Sequence, residues 1–306
     1  MWIVLAFISA VCLGFYDISK KVALKDNSVI NVLTISIVIS SLLLSIPLIL
    51  SRCCPMMMSR TLFYVPSLDF KGHLFTLLKS AIVLSSWIFA YISLKQLPIS
   101  VVSPMQATRP MWTLIGALLI FGERLSGWQW VGVVLAIGSI FIFSLYGYVH
   151  TAQKQTGSRP LNIYYICLAM AILIGSCSGL YDKFMMRRYD HNAVQVYYTF
   201  YQAIMMIIVW IVDYYKHTRT QQGSPWRIVH LRTIVLISVF LVMSDNVYML
   251  ALSYPDSMIA IISTIRRGGA VIGFAYGLLF LKEEDPWPKI LCMAGICSGL
   301  ACLALA

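Results

Sequence analysis

Charged residues are scarce in this chain of 306 residues. Only 11% of the residues are Asp, Glu, Lys or Arg, whereas 59% are hydrophobic and the mean hydropathy is +0.81. Because about a quarter of the residues in a soluble domain are charged, this composition excludes an ordinary soluble protein and indicates an integral membrane protein. The length accommodates about ten membrane-spanning helices of ~20 residues with short loops.

Residues that bind metals or perform catalysis are also few. The five histidines lie in loops or at the ends of apolar segments, and the eight cysteines have neither metal-ligand spacing nor the pattern of a disulfide framework. We therefore expect no metal site and no cofactor. The stretch from Gly175 to Gly179 resembles a nucleophile elbow, but Cys177 stands at its centre and the stretch lies within a helical segment. An intramembrane enzyme is accordingly the weaker alternative.

Acidic residues are fewer than basic ones, 12 against 23, which gives a net charge of +11. Most of these charges lie at the ends of apolar segments, where basic side chains meet lipid headgroups. The expected partner is therefore the lipid bilayer and not a nucleic acid. No basic stretch precedes the first apolar segment, so we predict a spanning helix there rather than a signal peptide.

Apolar segments alternate with short polar loops along the whole chain, and residues 150–160 form a polar connection that contains Gly157 and Pro160. This pattern predicts a first half, residues 1–149, a linker, residues 150–160, and a second half, residues 161–306. Each half contains five apolar segments, and an odd number forces two consecutive units to insert with opposite orientations. The prediction is an all-α membrane protein of ten transmembrane helices arranged as two inverted five-helix repeats. The segments are Trp2–Ala23, Val29–Leu50, Leu74–Leu94, Ile99–Phe121, Trp128–Tyr148, Leu161–Met186, Val194–Tyr215, Leu231–Ser253, Ser257–Leu281 and Trp287–Leu305.

Polar residues of the first half return in the second. The stretch from Gly14 to Asp17 returns as the stretch from Gly179 to Asp182, and the pair Pro98 and Arg109 returns as Pro255 and Arg266. A tandem repeat of membrane helices with charges at matching depths is typical of a transporter with its site near the middle of the bilayer.

Three stretches resemble the EamA family of the drug/metabolite transporter superfamily. They run from Gly14 to Lys20, from Pro104 to Pro110 and from Phe121 to Gly132. The second half is a weaker copy, with Lys282-Glu283-Glu284 where the family has Gly-Glu-Arg. The resemblance implies a ten-helix permease for small metabolites in a bacterial inner membrane, with both termini in the cytosol. The distribution of Lys and Arg over the loops favours the opposite orientation.

Arginines deep in apolar segments are the main candidates for a site. Arg109 follows Pro98 by eleven residues, which corresponds to ~16 Å of helix, or half of a hydrocarbon core of ~30 Å. An arginine at this depth needs a partner inside the protein. We predict Asp17 as the partner of Arg109 and Asp182 as that of Arg266, with Asp245 as a second candidate for Arg266. Both a substrate or gating role and a structural ion pair remain open.

The other candidates surround these charges. Tyr16 and Tyr181 precede the two aspartates, and Asn246 follows Asp245. Weaker candidates are Lys20, Trp87, Gln106, Trp112, Lys183 and Arg267. Aromatic and polar side chains suit a small amphipathic metabolite, such as an amino acid or another zwitterion or weak anion, moved by alternating access. Protons are the candidate coupling ion, and the alternative is a membrane receptor or scaffold without transport. We expect a monomer or a weak homodimer.

Overall fold

The structure, a computed structural model, describes residues 1–24, 27–96, 108–152, 162–219, 231–269, 272 and 286–305. Within these ranges it is all-helical, as the sequence predicts, and contains eleven helices. They are α1 (Trp2–Leu24), α2 (Val29–Cys53), α3 (Pro55–Met58), α4 (Phe70–Gln96), α5 (Arg109–Phe121), α6 (Gly127–Ala152), α7 (Asn162–Met186), α8 (His191–Arg219), α9 (Leu231–Ser253), α10 (Ile259–Arg267) and α11 (Pro286–Leu305).

Six of these helices are long and apolar enough to cross a membrane, counted over the described ranges: α1, α2, α4, α7, α8 and α9. Two shorter apolar helices, Arg109–Phe121 and Ile290–Leu303, lie at the predicted fourth and tenth segments. The short helix α3 lies in the predicted loop after the second segment, and only Ile259–Arg267 of the predicted ninth segment is a described helix. The chain is therefore a multi-pass membrane protein.

Every long helix of the first half packs most extensively against a helix of the second half. The pairs are α1 with α9, α2 with α8, α4 with α7, and α6 with α11, and the short helix α5 contacts α7 and α10. The reciprocal hydrogen bonds of Ser9 and Ser244 join α1 to α9, since each hydroxyl donates to the other residue's carbonyl oxygen, at 2.8 and 3.0 Å. The two halves thus share one interior.

The connection between α5 and α6 is specified by its sequence. Gly122 ends α5 with φ = 62°, a left-handed conformation that glycine adopts without steric cost. Ser126 and Gln129 then begin α6 with a reciprocal capping box, because each backbone N–H donates to the side chain of the other residue, at 2.9 and 3.3 Å. This turn fixes the position of Glu123, which is 9% exposed.

Helices α6 and α11 meet along a seam of small residues. A Cβ atom on Gly299 would approach the backbone nitrogen of Ala136 and the carbonyl oxygen of Gly132 to 2.7 Å, and one on Gly295 would overlap Ser139. Absent side chains therefore let the two backbones come close together, as in other membrane helix pairs. The glycine pair on α11 thus forms an intramolecular seam.

We predict that Gly299→Ala destabilises the protein by about 1–3 kcal/mol, because the added methyl group meets backbone atoms that cannot move aside. Gly138→Ala on α6 is the matched control, since a Cβ there meets nothing within 4 Å, and we expect neutral or slightly raised stability. The measurement is thermal unfolding of both purified variants in detergent. Equal unfolding temperatures for the two variants would contradict the seam.

Candidate functional site

A cavity of about 390 Å³ lies between the two halves and is lined by residues of α1, α2, α4, α5, α7, α8, α9 and α10. This volume is near the lower end of the range for small-molecule sites, about 300–1,000 Å³. Nine of the candidate residues from the sequence analysis line this cavity. They are Tyr16, Asp17, Lys20, Trp87, Arg109, Asp182, Asp245, Arg266 and Arg267. Charged groups from distant parts of the chain therefore converge on one chamber.

An ion pair between Lys79 of α4 and Asp182 of α7 joins the two halves at the cavity wall. The side chains of Lys79 and Asp182 are 2% and 10% exposed. Tyr248 donates its hydroxyl to the second carboxylate oxygen at 3.2 Å, and the Lys79 ammonium lies 4.5 Å from the centre of the Tyr198 ring. The predicted pairing of Asp182 with Arg266 is therefore wrong, because Lys79 occupies the carboxylate.

Arg266 of α10 pairs instead with Asp245 of α9, with 2.9 Å between guanidinium nitrogen and carboxylate oxygen. Its guanidinium also lies 4.0 Å from the centre of the Tyr248 ring and 3.3 Å from the Ser244 hydroxyl. Asp245, the second candidate from the sequence, is thus the actual partner. Tyr248 touches both ion pairs, so a single aromatic side chain connects them.

Arg109 begins α5, and its guanidinium packs directly on Gly175 of α7, where a Cβ atom would overlap it. Its backbone carbonyl oxygen accepts from Thr113, at 3.2 Å, and lies 3.1 Å from the Ser176 hydroxyl. The Ser176 contact therefore holds the beginning of α5 against α7. Among the described residues no side chain forms an ion pair or hydrogen bond with the guanidinium, so the predicted pair with Asp17 is not formed.

Asp17 of α1 is exposed within the cavity wall and stands among positive charges. Lys20, Arg267 and Arg266 all interact with it electrostatically, without a hydrogen bond or ion pair between described residues. Lys20 lies 5.7 Å from the centre of the Tyr16 ring. The carboxylate of Asp17 is thus accessible to a molecule in the cavity.

Several candidates lie away from the cavity. Tyr181 donates to the carbonyl oxygen of Phe75 at 3.1 Å and stacks on Phe184, and Trp112 is 46% exposed on the outer surface. The Asn246 amide donates to Asn192 and Gln195, at 2.9 and 2.8 Å, which makes it part of a structural cluster. Gln106 lies outside the described residues. Pro98, the residue from which the depth of Arg109 was counted, also lies outside them.

Lys183 belongs to a separate buried network at the end of α7. Its ammonium lies 2.7 Å from one carboxylate oxygen of Glu123 and also donates to the carbonyl oxygen of Ser257. Glu123 in addition accepts the backbone N–H groups of Ile259 and Ala260, at 2.7 and 3.2 Å, and so caps the first turn of α10. These hydrogen bonds fix the loop at Glu123 and connect it to the second half.

Sequence reasoning missed Lys79, Tyr198 and the pairing role of Tyr248. Lys79 carried a usable signal, because it stands inside the predicted segment Leu74–Leu94, where a charge needs a partner. Tyr198 carried none, since aromatic residues in membrane helices mostly serve packing.

The apolar helices and the charged central cavity place the chain in the class of multi-pass membrane proteins with a central polar site. Residues 1–145, slightly less than half of the chain, match the model of the EamA-like transporter family, part of the drug/metabolite transporter superfamily. A solved structure described only as the crystal structure of a protein is similar with a TM-score of 0.74 and 11% identity, over 99% of this chain and 96% of that chain. This likeness shows the fold alone. No curated protein matches the sequence.

We predict that Asp182→Leu destabilises the protein by about 3–5 kcal/mol, because the Lys79 charge then stays buried without a partner. The double variant Lys79→Met/Asp182→Leu is expected to recover much of this loss, since it leaves no charge behind. Thermal unfolding of the single and double variants in detergent measures the coupling. Additive losses would show that the two side chains do not depend on each other.

Proposed function

We propose that this protein is a transporter that moves a small metabolite through the central cavity by alternating access. The observation that carries the proposal is the convergence of charged side chains from both halves on one cavity, where the pair Lys79 and Asp182 joins the halves. The match of residues 1–145 to a transporter-family model supports it. The expected substrate is an amino acid or another zwitterion or weak anion.

We further propose that the chain forms ten transmembrane helices in two inverted five-helix repeats. The helix pairing supports this arrangement. If helices related by the repeat are exchanged, the pair α1 and α9 becomes the pair α7 and α4, while α2 with α8 and α6 with α11 each map onto themselves. All of these pairs occur, as expected of a pseudo-two-fold axis between the halves.

The end of the bundle near Glu123 is proposed as the closed gate. The network of Glu123, Lys183 and Ile259 lies there, together with an apolar cluster that includes Met185, Val194, Leu252 and Ile261. The cavity lining extends from this cluster toward the end of α1 and the beginning of α5, as Lys20 and Arg109 indicate. Alternating access requires this network to open when the opposite end closes.

Two other functions make different predictions. A non-transporting receptor or scaffold would fold and bind without flux, and an intramembrane enzyme would convert an offered substrate. The family resemblance adds two points to the proposal: location in a bacterial inner membrane and termini in the cytosol. The sequence pattern adds protons as the coupling ion and a monomer or weak homodimer as the oligomeric state.

Purified protein reconstituted into liposomes is expected to take up labelled metabolites saturably, in a panel sorted by charge. Trp87→Ala should change the KM of this uptake, because Trp87 lines the cavity. Ile88→Ala is the matched control, since Ile88 is 39% exposed and is the next residue of the same helix. Folded protein that gives only the flux of empty liposomes, for every metabolite, would favour the receptor or scaffold.

If this end is the gate, Glu123→Gln should make it more accessible to water and to water-soluble reagents, because the Lys183 ammonium loses its charged partner. Ser257, which is 2% exposed, is changed to Cys as a reporter in a background without the exposed cysteines Cys53, Cys54, Cys177 and Cys297. A water-soluble thiol reagent should modify the reporter severalfold faster in Glu123→Gln than beside wild-type Glu123. Ser126→Ala, which alters only the nearby capping box, is the control. Equal rates in both backgrounds would argue against the gate.

A further inference from the structure

Positive charge exceeds negative charge in the cavity. Its described lining contains five basic side chains and three acidic ones, namely Lys20, Lys79, Arg109, Arg266 and Arg267 against Asp17, Asp182 and Asp245. Two ion pairs, Lys79 with Asp182 and Arg266 with Asp245, neutralise two charges of each sign. Among the described lining residues, the remaining charges are three cations and the carboxylate of Asp17, so the electrostatics of the cavity favour an anion.

Arg109 has the least compensation of these cations. It comes from the first half and Arg267 from the second, and both line the same chamber. Among the described residues, Arg267 and Arg266 repel Arg109, and the carboxylate that attracts it, that of Asp182, is already paired with Lys79. An uncompensated guanidinium at membrane depth is costly, and a bound anion would remove this cost.

We propose that Arg109 and Arg267, one from each half, bind an oxyanion group of the substrate, either a carboxylate or a phosphate. The inference rests on the transport function proposed above and defines its substrate class as small organic anions, with zwitterions included when their cationic group reaches Asp17. A planar guanidinium matches such a group with two parallel N–H donors. The anion would then tie the two halves together from within the cavity.

Gly175 makes room for this site. The Arg109 guanidinium lies where the first side-chain atom of any other residue at position 175 would stand. Thr113 and the Ser176 hydroxyl hold the Arg109 backbone at the same place. The glycine therefore positions the guanidinium without contributing a charge, and its substitution tests the geometry separately from the charge.

The experiment measures binding to the purified full-length protein in detergent, at constant ionic strength set with chloride. The probes are succinate, glutamate and inorganic phosphate, with choline as the cationic comparison, and the readout is the concentration dependence of the thermal unfolding temperature. Loss of a charged hydrogen-bonding partner corresponds to about tenfold or weaker binding. We expect this loss for Arg109→Gln and Arg267→Gln and a smaller one for Arg109→Lys. Succinate and phosphate separate the two oxyanion chemistries.

Gly175→Ala provides the test that leaves every charge in place. It should weaken binding of the preferred anion, because the methyl group displaces the Arg109 guanidinium. Gly179→Ala, one turn further along α7, is the matched control, since its Cβ would meet only Thr113 Cγ2 at 4.0 Å. Its anion affinity should equal that of wild type. The comparison also remains valid if Arg109→Gln fails to fold.

The proposal is overturned if no oxyanion probe binds, if choline binds better than the anions, or if Gly175→Ala binds as tightly as Gly179→Ala. The transport proposal has a separate outcome. Arginine-dependent binding of an anion in detergent, combined with no uptake of that anion into liposomes, supports this site while it refutes transport. Saturable uptake of a cation would refute this site while it supports transport.

Discussion

Charge buried between the two halves is the constraint on which the rest of the structure depends. A single lysine or aspartate inside a membrane protein is costly unless its partner is close. Lys79 comes from the first half and Asp182 from the second, so both charges are compensated only when the two halves pack together. The apolar surfaces of membrane helices give little preference for one neighbour over another. The ion pairs and the serine contact between α1 and α9 therefore select the partners and the register.

Close packing and charge have separate locations in the bundle. Helices α6 and α11 pack through glycines and contribute no described residue to the cavity. Helices α1, α4, α5, α7, α9 and α10 contain the charged side chains that line the cavity. The outer pair can thus keep the bundle compact while the inner helices supply the chemistry. Gly175 is the exception, because it is a small residue that serves a charge.

Much of this organisation could be predicted from the sequence, and the reasons for the failures are physical. Apolar segments report helix boundaries well, as Leu231–Ser253 shows, where prediction and structure agree. Repetition identified Asp17, Asp182, Arg109 and Arg266, which all line the cavity. The predicted ion pairs, Asp17 with Arg109 and Asp182 with Arg266, were wrong because the depth of a residue along a helix does not specify which face of the helix it occupies. Lys79 breaks the repeat, and a search for repeated residues therefore overlooked it.

The Glu123 carboxylate accepts one ammonium and two backbone N–H groups at once. These donors belong to different helices, so withdrawal of the carboxylate exposes all of them together. Such a contact resists partial opening, because an intermediate position loses the bonds before water can replace them. At the gate proposed above, we therefore expect movement between a closed and an open state to be abrupt rather than graded.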